Sequence, residues 1–191
     1  MTRIDLNSDM GELDALAQDG TEDALLECVS SVNVACGAHA GGDAAMERTI
    51  RAALAHGVAI GAHPGYPDRA NFGRLHVEMS AEELACSVHG QLLALDRVAR
   101  ACGATIVHVK PHGALYNEAA RNPIIARIIA QGIGRWNRDV VVVGLAGSVM
   151  LDEFRGLGFR VAAEAFADRH YEPDGSLRSR QLEGALIRDP D

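Results

Sequence analysis

The chain has 191 residues, 48% of them hydrophobic, with a formal net charge of -8 and a pI near 5.4. That length supplies one sizeable core and is short for two domains, and so acidic a chain lacks the basic footprint of a general nucleic-acid binder. No apolar run is long enough to span a bilayer, Arg3, Asp5 and Asp9 stand where a signal peptide would be apolar, and Cys28, Cys36, Cys86 and Cys102 lack CxxC spacing; a cytoplasmic protein with reduced thiols and no membrane partner is expected.

In chain order, short β-like runs alternate with helical patterns. Residues 3–9 read as a first strand, with Ile4 and Leu6 on one face and Asp5 and Asn7 on the other. A short helix around Asp23 to Val29 precedes a second strand, Ser31 to Gly37, which puts Val32 and Val34 opposite Asn33. Asp43 is placed to cap a helix whose apolar positions Met46, Ile50, Ala53 and Leu54 recur at helical spacing, and Gly57 suits its stop. The strand from Val58 to Ala62 runs into His63-Pro-Gly-Tyr-Pro-Asp68.

Ser80-Ala-Glu-Glu83 has the form of a capping box, opening an amphipathic helix with Leu84, Val88, Leu92, Leu95 and Val98 or Ala99 buried and Gly103 at its end. A fourth strand leads into Lys110-Pro-His-Gly-Ala-Leu-Tyr-Asn117. Asn122-Pro123 opens a helix that turns Ile124, Ile128 and Ile129 to the core. The fifth strand, Val140 to Gly144, turns through Leu145 to Ser148 into a helix bearing Met150, Leu151, Phe154 and Leu157, closed by Gly158. The sixth, Phe159 to Phe166, sets Glu164 opposite Val161, Ala163 and Ala165, and a polar, arginine-rich tail follows from Asp168.

Six strand-helix units require a parallel sheet with right-handed crossovers. Polar groups end nearly every strand, and Asp5, Asn7, Asn33, His108, Lys110 and Glu164 share the face away from the helices. An open doubly wound sheet would gather its site at one switch point, so a shared polar interior favours a barrel. A full eight-unit barrel takes ~250 residues, hence an irregular, incomplete βα barrel over residues 1–191 is expected, as one domain.

Lys110 is the only lysine; the other 17 of the 18 basic residues are arginine. An ammonium is a compact charge whose pKa moves on burial, unlike guanidinium. Glu164 on the interior face needs a partner, and Lys110 is the natural one.

Leu6-Asn-Ser-Asp-Met-Gly-Glu12, Val32-Asn-Val-Ala-Cys-Gly-Ala-His39 with Gly42-Asp43, Gly61-Ala-His-Pro-Gly-Tyr-Pro-Asp68, Phe72-Gly-Arg74, Val109 to Asn117 and Glu164-Ala-Phe-Ala-Asp-Arg169 together resemble the LamB/YcsF family, from the first strand to about Ile187. The resemblance implies an irregular βα barrel similar to the polysaccharide deacetylase fold. It also implies ATP-dependent opening of the 5-oxoproline (pyroglutamate) lactam to L-glutamate, together with 5-oxoprolinase subunits B and C. Leu75 stands where such sequences commonly carry a second arginine, and Glu183 where they carry proline. They also usually continue past the position of Asp191 through a strand with a His-Gly-Asp block and a helix; an open barrel wall, or one completed by a partner, is therefore expected.

A lactam carbonyl is a poor electrophile, and phosphorylating its oxygen makes an intermediate that water can attack. That step needs charge stabilisation more than covalent help. Lys110 is the candidate for the developing negative charge, with His112 and Asp9 as proton-transfer groups. Asn7, His39 and His63 are candidates for holding substrate, and Arg74, Tyr116, Glu164 and the turn from Gly144 to Ser148 for substrate or phosphate. No Walker A motif is present; Mg²⁺ is expected to arrive with ATP, with no tightly bound cofactor or protein-held metal. Two other readings stay open: a metal-dependent deacetylase or amidohydrolase with Asp9, His39, His63 and His112 around one ion, and a noncatalytic 5-oxoproline-binding or regulatory subunit. Cys36 reads equally as a buried thiol or a nucleophile.

Overall fold

A computed structural model describes residues 4–187. Arg3, at the start of the first expected strand, and residues 188–191 of the tail lie outside the described residues. Six parallel strands are hydrogen-bonded in chain order: β1 (Asn7–Met10), β2 (Ser31–Ala35), β3 (Ala59–His63), β4 (Ile106–Val109), β5 (Val141–Leu145) and β6 (Arg160–Glu164). Between them run α1 (Asp14–Gln18), α2 (Thr21–Leu26), α3 (Asp43–His56), α4 (Ala81–Ala101), α5 (Gly113–Ala119), α6 (Pro123–Trp136) and α7 (Val149–Gly156). Neighbouring helices pack in sequence, α3 on α4, α4 on α6 and α6 on α7. The sheet curls into an open half-barrel: Lys110, just beyond β4, reaches both Asp9 on β1 and Glu164 on β6.

Local chemistry accounts for the elements. Ser80 and Glu83 form a reciprocal capping box at the start of α4, and the expected stripe from Leu84 to Ala99 is buried. Asn122 caps α6 ahead of Pro123. Close approach of α4 and α6 needs Gly132, where a Cβ would sit 2.7 Å from the Ala85 carbonyl oxygen.

Several expectations are corrected. Strand β1 begins only at Asn7, and Ile4 and Leu6 are 84% and 58% exposed; β1 is an edge strand with no partner beyond it among the described residues. Asp43 does not cap α3 with its side chain: it is the first helical residue and pairs with Arg97 at 2.7 Å. Ile124 is 64% exposed, so Ala126, Ile129, Ala130 and Ile133 form the buried face of α6 instead. A register shift lets Ile106 pair with Ile60 and His108 with Gly61. Val107 is the extra residue, which leaves it exposed while returning His108 to the interior. A Cβ at Gly61 would lie 2.0 Å from His108 Nε2, so the glycine makes room for that ring.

Candidate active site

The interior polar face has two tiers. In the lower one, Asn33 on β2 exchanges amide hydrogen bonds with Asn7, donates to Asp9 Oδ1 at 2.7 Å, and accepts from His108 Nε2 at 2.7 Å. Asn7 also donates to Ser31 Oγ at 2.7 Å. Burial pushes His108 down to about 4, so the ring is neutral at pH 7.

Above it, the ends of β1, β3 and β4 bring Asp9, Glu12, His63, Lys110 and His112 to one cleft of about 820 Å³. The backbone holds the lysine segment in place, Lys110 N–H donating to the Ala62 carbonyl at 2.9 Å and His112 N–H to that of Pro64 at 2.8 Å. Gln91, buried on α4, donates to the Gly65 carbonyl at 2.8 Å and accepts from the Gly65 amide at 3.0 Å, fixing the loop that follows His63.

Lys110 Nζ lies 2.9 Å from Glu164 Oε2 and 3.5 Å from Asp9 Oδ1, and 4.9 Å from the Phe166 ring centre. Burial disfavours its charge, but the two carboxylates outweigh burial and raise its pKa. Asp9 is 34% exposed at its side chain and opens onto the cleft. Enclosure pushes its carboxyl up, yet the charges of His63 and Lys110 and bonds from His63 and Asn33 hold it well below the usual range. The His63 pKa is raised because the Asp9 carboxylate overcomes burial.

The histidines pack as a unit. His39 stacks flat on His112 with ring centres 3.8 Å apart, and His63 meets both rings edge-on. Glu12 Oε1 joins them, 3.2 Å from His39 Nε2, 3.2 Å from His112 Nδ1 and 3.8 Å from His63 Nε2. Burial raises the Glu12 carboxyl, but hydrogen bonds from His112 and His39 bring it down to about 2. Burial takes His39 down to about 4.

The expected site residues therefore divide. Asp9, His63, Arg74, Lys110, His112, Tyr116 and Ser148 line the cleft. His39 stands behind His112, Asn7 supports Asn33, and Glu164 anchors Lys110. Gly144 faces α7, where a Cβ would meet Leu151 and Met150 at 3.0 and 3.1 Å. Ser148 donates its hydroxyl to the Leu145 carbonyl at 2.6 Å, and its amide and that of Val149 are also taken, by Leu145 and Ala120. The turn after β5 is thus poorer in free phosphate donors than its sequence suggests. Glu12 was not among the expected site residues; its signal is its place three residues after Asp9, with Gly11 at φ 73° turning the chain back toward the histidines. Cys36 is buried and its thiol is pushed up to about 12 by burial, which makes it a packing residue.

Tail residues 174–181 line the cleft together with Arg74 and Arg169. Arg169 is buried and donates to the Ala185 and Arg178 carbonyls, at 3.2 and 2.6 Å. Burial and then the nearby Arg180 charge lower the pKa of both Arg74 and Arg169. This rim is positive, which suits an anionic ligand.

Residues 4–191 match the sequence profile of the LamB/YcsF family. The chain is 48% identical over 190 residues to a 5-oxoprolinase subunit, the one lettered A, of Chloroflexus aggregans, covering 100% of this chain and 75% of that protein. It is 47% identical over 188 residues to the protein of the same name from Tolumonas auensis, covering 98% and 75%. The crystal structure of a lactam utilization protein from Thermus thermophilus superimposes with a TM-score of 0.90 at 42% identity, over 99% of this chain and 76% of that one. Pattern, identity over the full chain and a shared fold agree: this chain belongs to the LamB/YcsF family.

Proposed function

We propose that the chain is the catalytic subunit of an ATP-dependent 5-oxoprolinase, an amide (lactam) hydrolase that opens 5-oxoproline to L-glutamate. The relatives' names, 5-oxoprolinase subunit and lactam utilization protein, support lactam processing. A lettered subunit also supports partners, read here as subunits B and C in the cytoplasm; no described helix is long and apolar enough to cross a membrane. The observation that carries the reading is Lys110: a buried ammonium held between two carboxylates at the floor of a cleft with imidazoles beside it and arginines at its rim.

In this reaction the lactam oxygen attacks the γ-phosphorus of ATP, forming an O–P bond as the bond to ADP breaks. Water then adds to the activated carbon, the C–N bond breaks with protonation of nitrogen, and a second water hydrolyses the acyl phosphate to glutamate and phosphate. Lys110 faces the charge that develops on the lactam oxygen, a contribution of about 10²–10³ in rate for one such donor. Asp9, held ionised, accepts the proton of the attacking water, and His112 shares proton transfer. Tyr116 lines the cleft, its hydroxyl without a hydrogen-bond partner among the described residues. Burial, then Glu164, raises its pKa, so it remains a phenol able to donate to substrate. Arg74 and Arg169 are placed for phosphate or carboxylate, and Mg²⁺ accompanies the nucleotide.

The test is glutamate release from 5-oxoproline by this chain mixed with subunits B and C, with and without ATP, beside Lys110→Ala. ATP-dependent release that disappears in the variant is expected. A second reading, amide hydrolysis by a protein-held metal without ATP, draws on the convergence of Glu12, His63 and His112; glutamate formed equally without nucleotide would favour it. Binding of 5-oxoproline by wild type and variant alike, with no turnover, would mark a noncatalytic role.

A further inference from the structure

We propose that Glu12, His63 and His112 form a site for one divalent transition-metal ion at the floor of the cleft, in place of the metal-free centre expected from sequence. Neighbouring carbonyls fix the hydrogen positions on both rings. His63 Nδ1 lies 2.8 Å from the Lys110 carbonyl oxygen, and His112 Nε2 lies 2.9 Å from that of Phe72. Carbonyl oxygens only accept, so each of these outward nitrogens carries a hydrogen. A metal displaces the protons that His63 Nε2 and His112 Nδ1 otherwise share with Asp9 and Glu12, and leaves the lone pairs of both nitrogens free to bind it. Those two atoms face each other at 3.0 Å, with Glu12 Oε1 at 3.8 and 3.2 Å from them. Asp9 Oδ2 stands 3.3 Å from His63 Nε2. Acceptors from three strand ends converge on one point, and a cation there satisfies all of them.

The dimensions and surroundings fit. Metal–nitrogen bonds of about 2.0–2.1 Å imply ligand-to-ligand edges of about 3.3 Å in a tetrahedron, and the observed edges of 3.0, 3.2 and 3.8 Å bracket that value. A metal-binding histidine characteristically donates its other N–H to a carbonyl or carboxylate, which both rings do. Glu12 is oriented by His39, and His39 and His112 are held close by glycines: a Cβ at Gly73 would lie 2.7 Å from His39 Cβ and 3.0 Å from His112 Cδ2. Asp9 and Glu12 set two carboxylates beside the ring nitrogens, a donor set whose charge suits a divalent ion. Two imidazoles and a carboxylate select zinc, cobalt or nickel over magnesium and calcium, so this ion is distinct from the one carried by ATP. Facing the cleft, it would polarise the lactam carbonyl or a bound water. His112 then serves as a ligand and Asp9 keeps the proton-transfer role.

Metal binding is read without substrate, so its test stands apart from ATP-dependent turnover. The untagged chain is stripped with chelator, reloaded with Zn²⁺ or Co²⁺, dialysed and analysed for metal, with circular dichroism and the unfolding midpoint as fold controls. About one ion per chain is expected, Co²⁺ giving visible d–d absorption, with affinity reduced ~100-fold or more in Glu12→Gln and His63→Ala. Glu12→Gln is isosteric and answers the question if His63→Ala fails to fold. A folded wild-type chain retaining less than roughly a tenth of an ion, or variants that retain as much as wild type, would overturn the proposal and leave a proton as the occupant.

Discussion

The two tiers of the interior are made of similar polar residues but are satisfied to different degrees. In the lower tier Asn33 fills both donor and both acceptor positions, with Asn7, Asp9 and His108 as partners. At the strand ends above it, Tyr116 Oη, Glu164 Oε1 and His39 Nδ1 are buried without a hydrogen-bond partner among the described residues. A buried polar group left unpaired costs ~1–3 kcal/mol, so a fold tolerates several together mainly where a ligand completes them. Saturation marks the tier that holds the barrel together, and incompleteness marks the tier that works.

The largest break in that contrast is expected from Lys110→Ala. It removes the cleft's ammonium and leaves Asp9 and Glu164 without their shared counter-charge, so glutamate release should fall by ~10²–10³ or more. Unfolding by urea should also show a loss of several kcal/mol, since breaking a buried pair costs ~3–5. Asn33→Ala tests the lower tier. It strips partners from Asp9, His108 and Asn7, and should cost roughly 2–4 kcal/mol of unfolding free energy in the same measurement.

A pH series sharpens the same point. His108 is neutral in the fold down to about 4, whereas an unfolded imidazole takes up its proton from 6.5. Between those values the unfolded chain binds more protons, so stability falls as pH drops from 6.5 towards about 4. The expected loss from His108 is on the order of 3 kcal/mol; His39, also lowered to about 4, acts over the same range, so His108→Gln should make this segment of the urea-midpoint profile shallower without levelling it. The smallest stability loss belongs to Tyr116→Phe. Its hydroxyl has no partner among the described residues, so the unfolding free energy should stay level or rise, by up to about 1–3 kcal/mol, while turnover drops ~10-fold or more. A stability loss as large as that of Asn33→Ala would refute the distinction between the tiers.

Much of this was legible in the residues. Period-two and period-3.6 patterns, the Ser80 capping box and Asn122-Pro123 located the six strands and five of the seven described helices, missing the short α1 and α5, and the polar strand ends indicated a curled sheet with an interior site. The pairing of Lys110 with Glu164 also followed, because two opposite charges facing one apolar interior must meet. Local pattern misplaced Ile4, Leu6 and Ile124, whose exposure depends on which neighbours lie against them.

By itself, then, the sequence determined the βα order, the buried helix stripes and the set of strand ends that carry chemistry, because each depends on contacts within a few residues. Tertiary structure decided the rest. It turned Glu12 from a residue beyond the first strand into the carboxylate shared by three histidines, and set the bulge opposite Gly61 that leaves Val107 exposed beside the inward His108. It also chose which nitrogen of His63 and His112 faces the cleft, through carbonyls of Lys110 and Phe72. Those outcomes rest on distances between segments far apart in the chain, which no local spacing encodes.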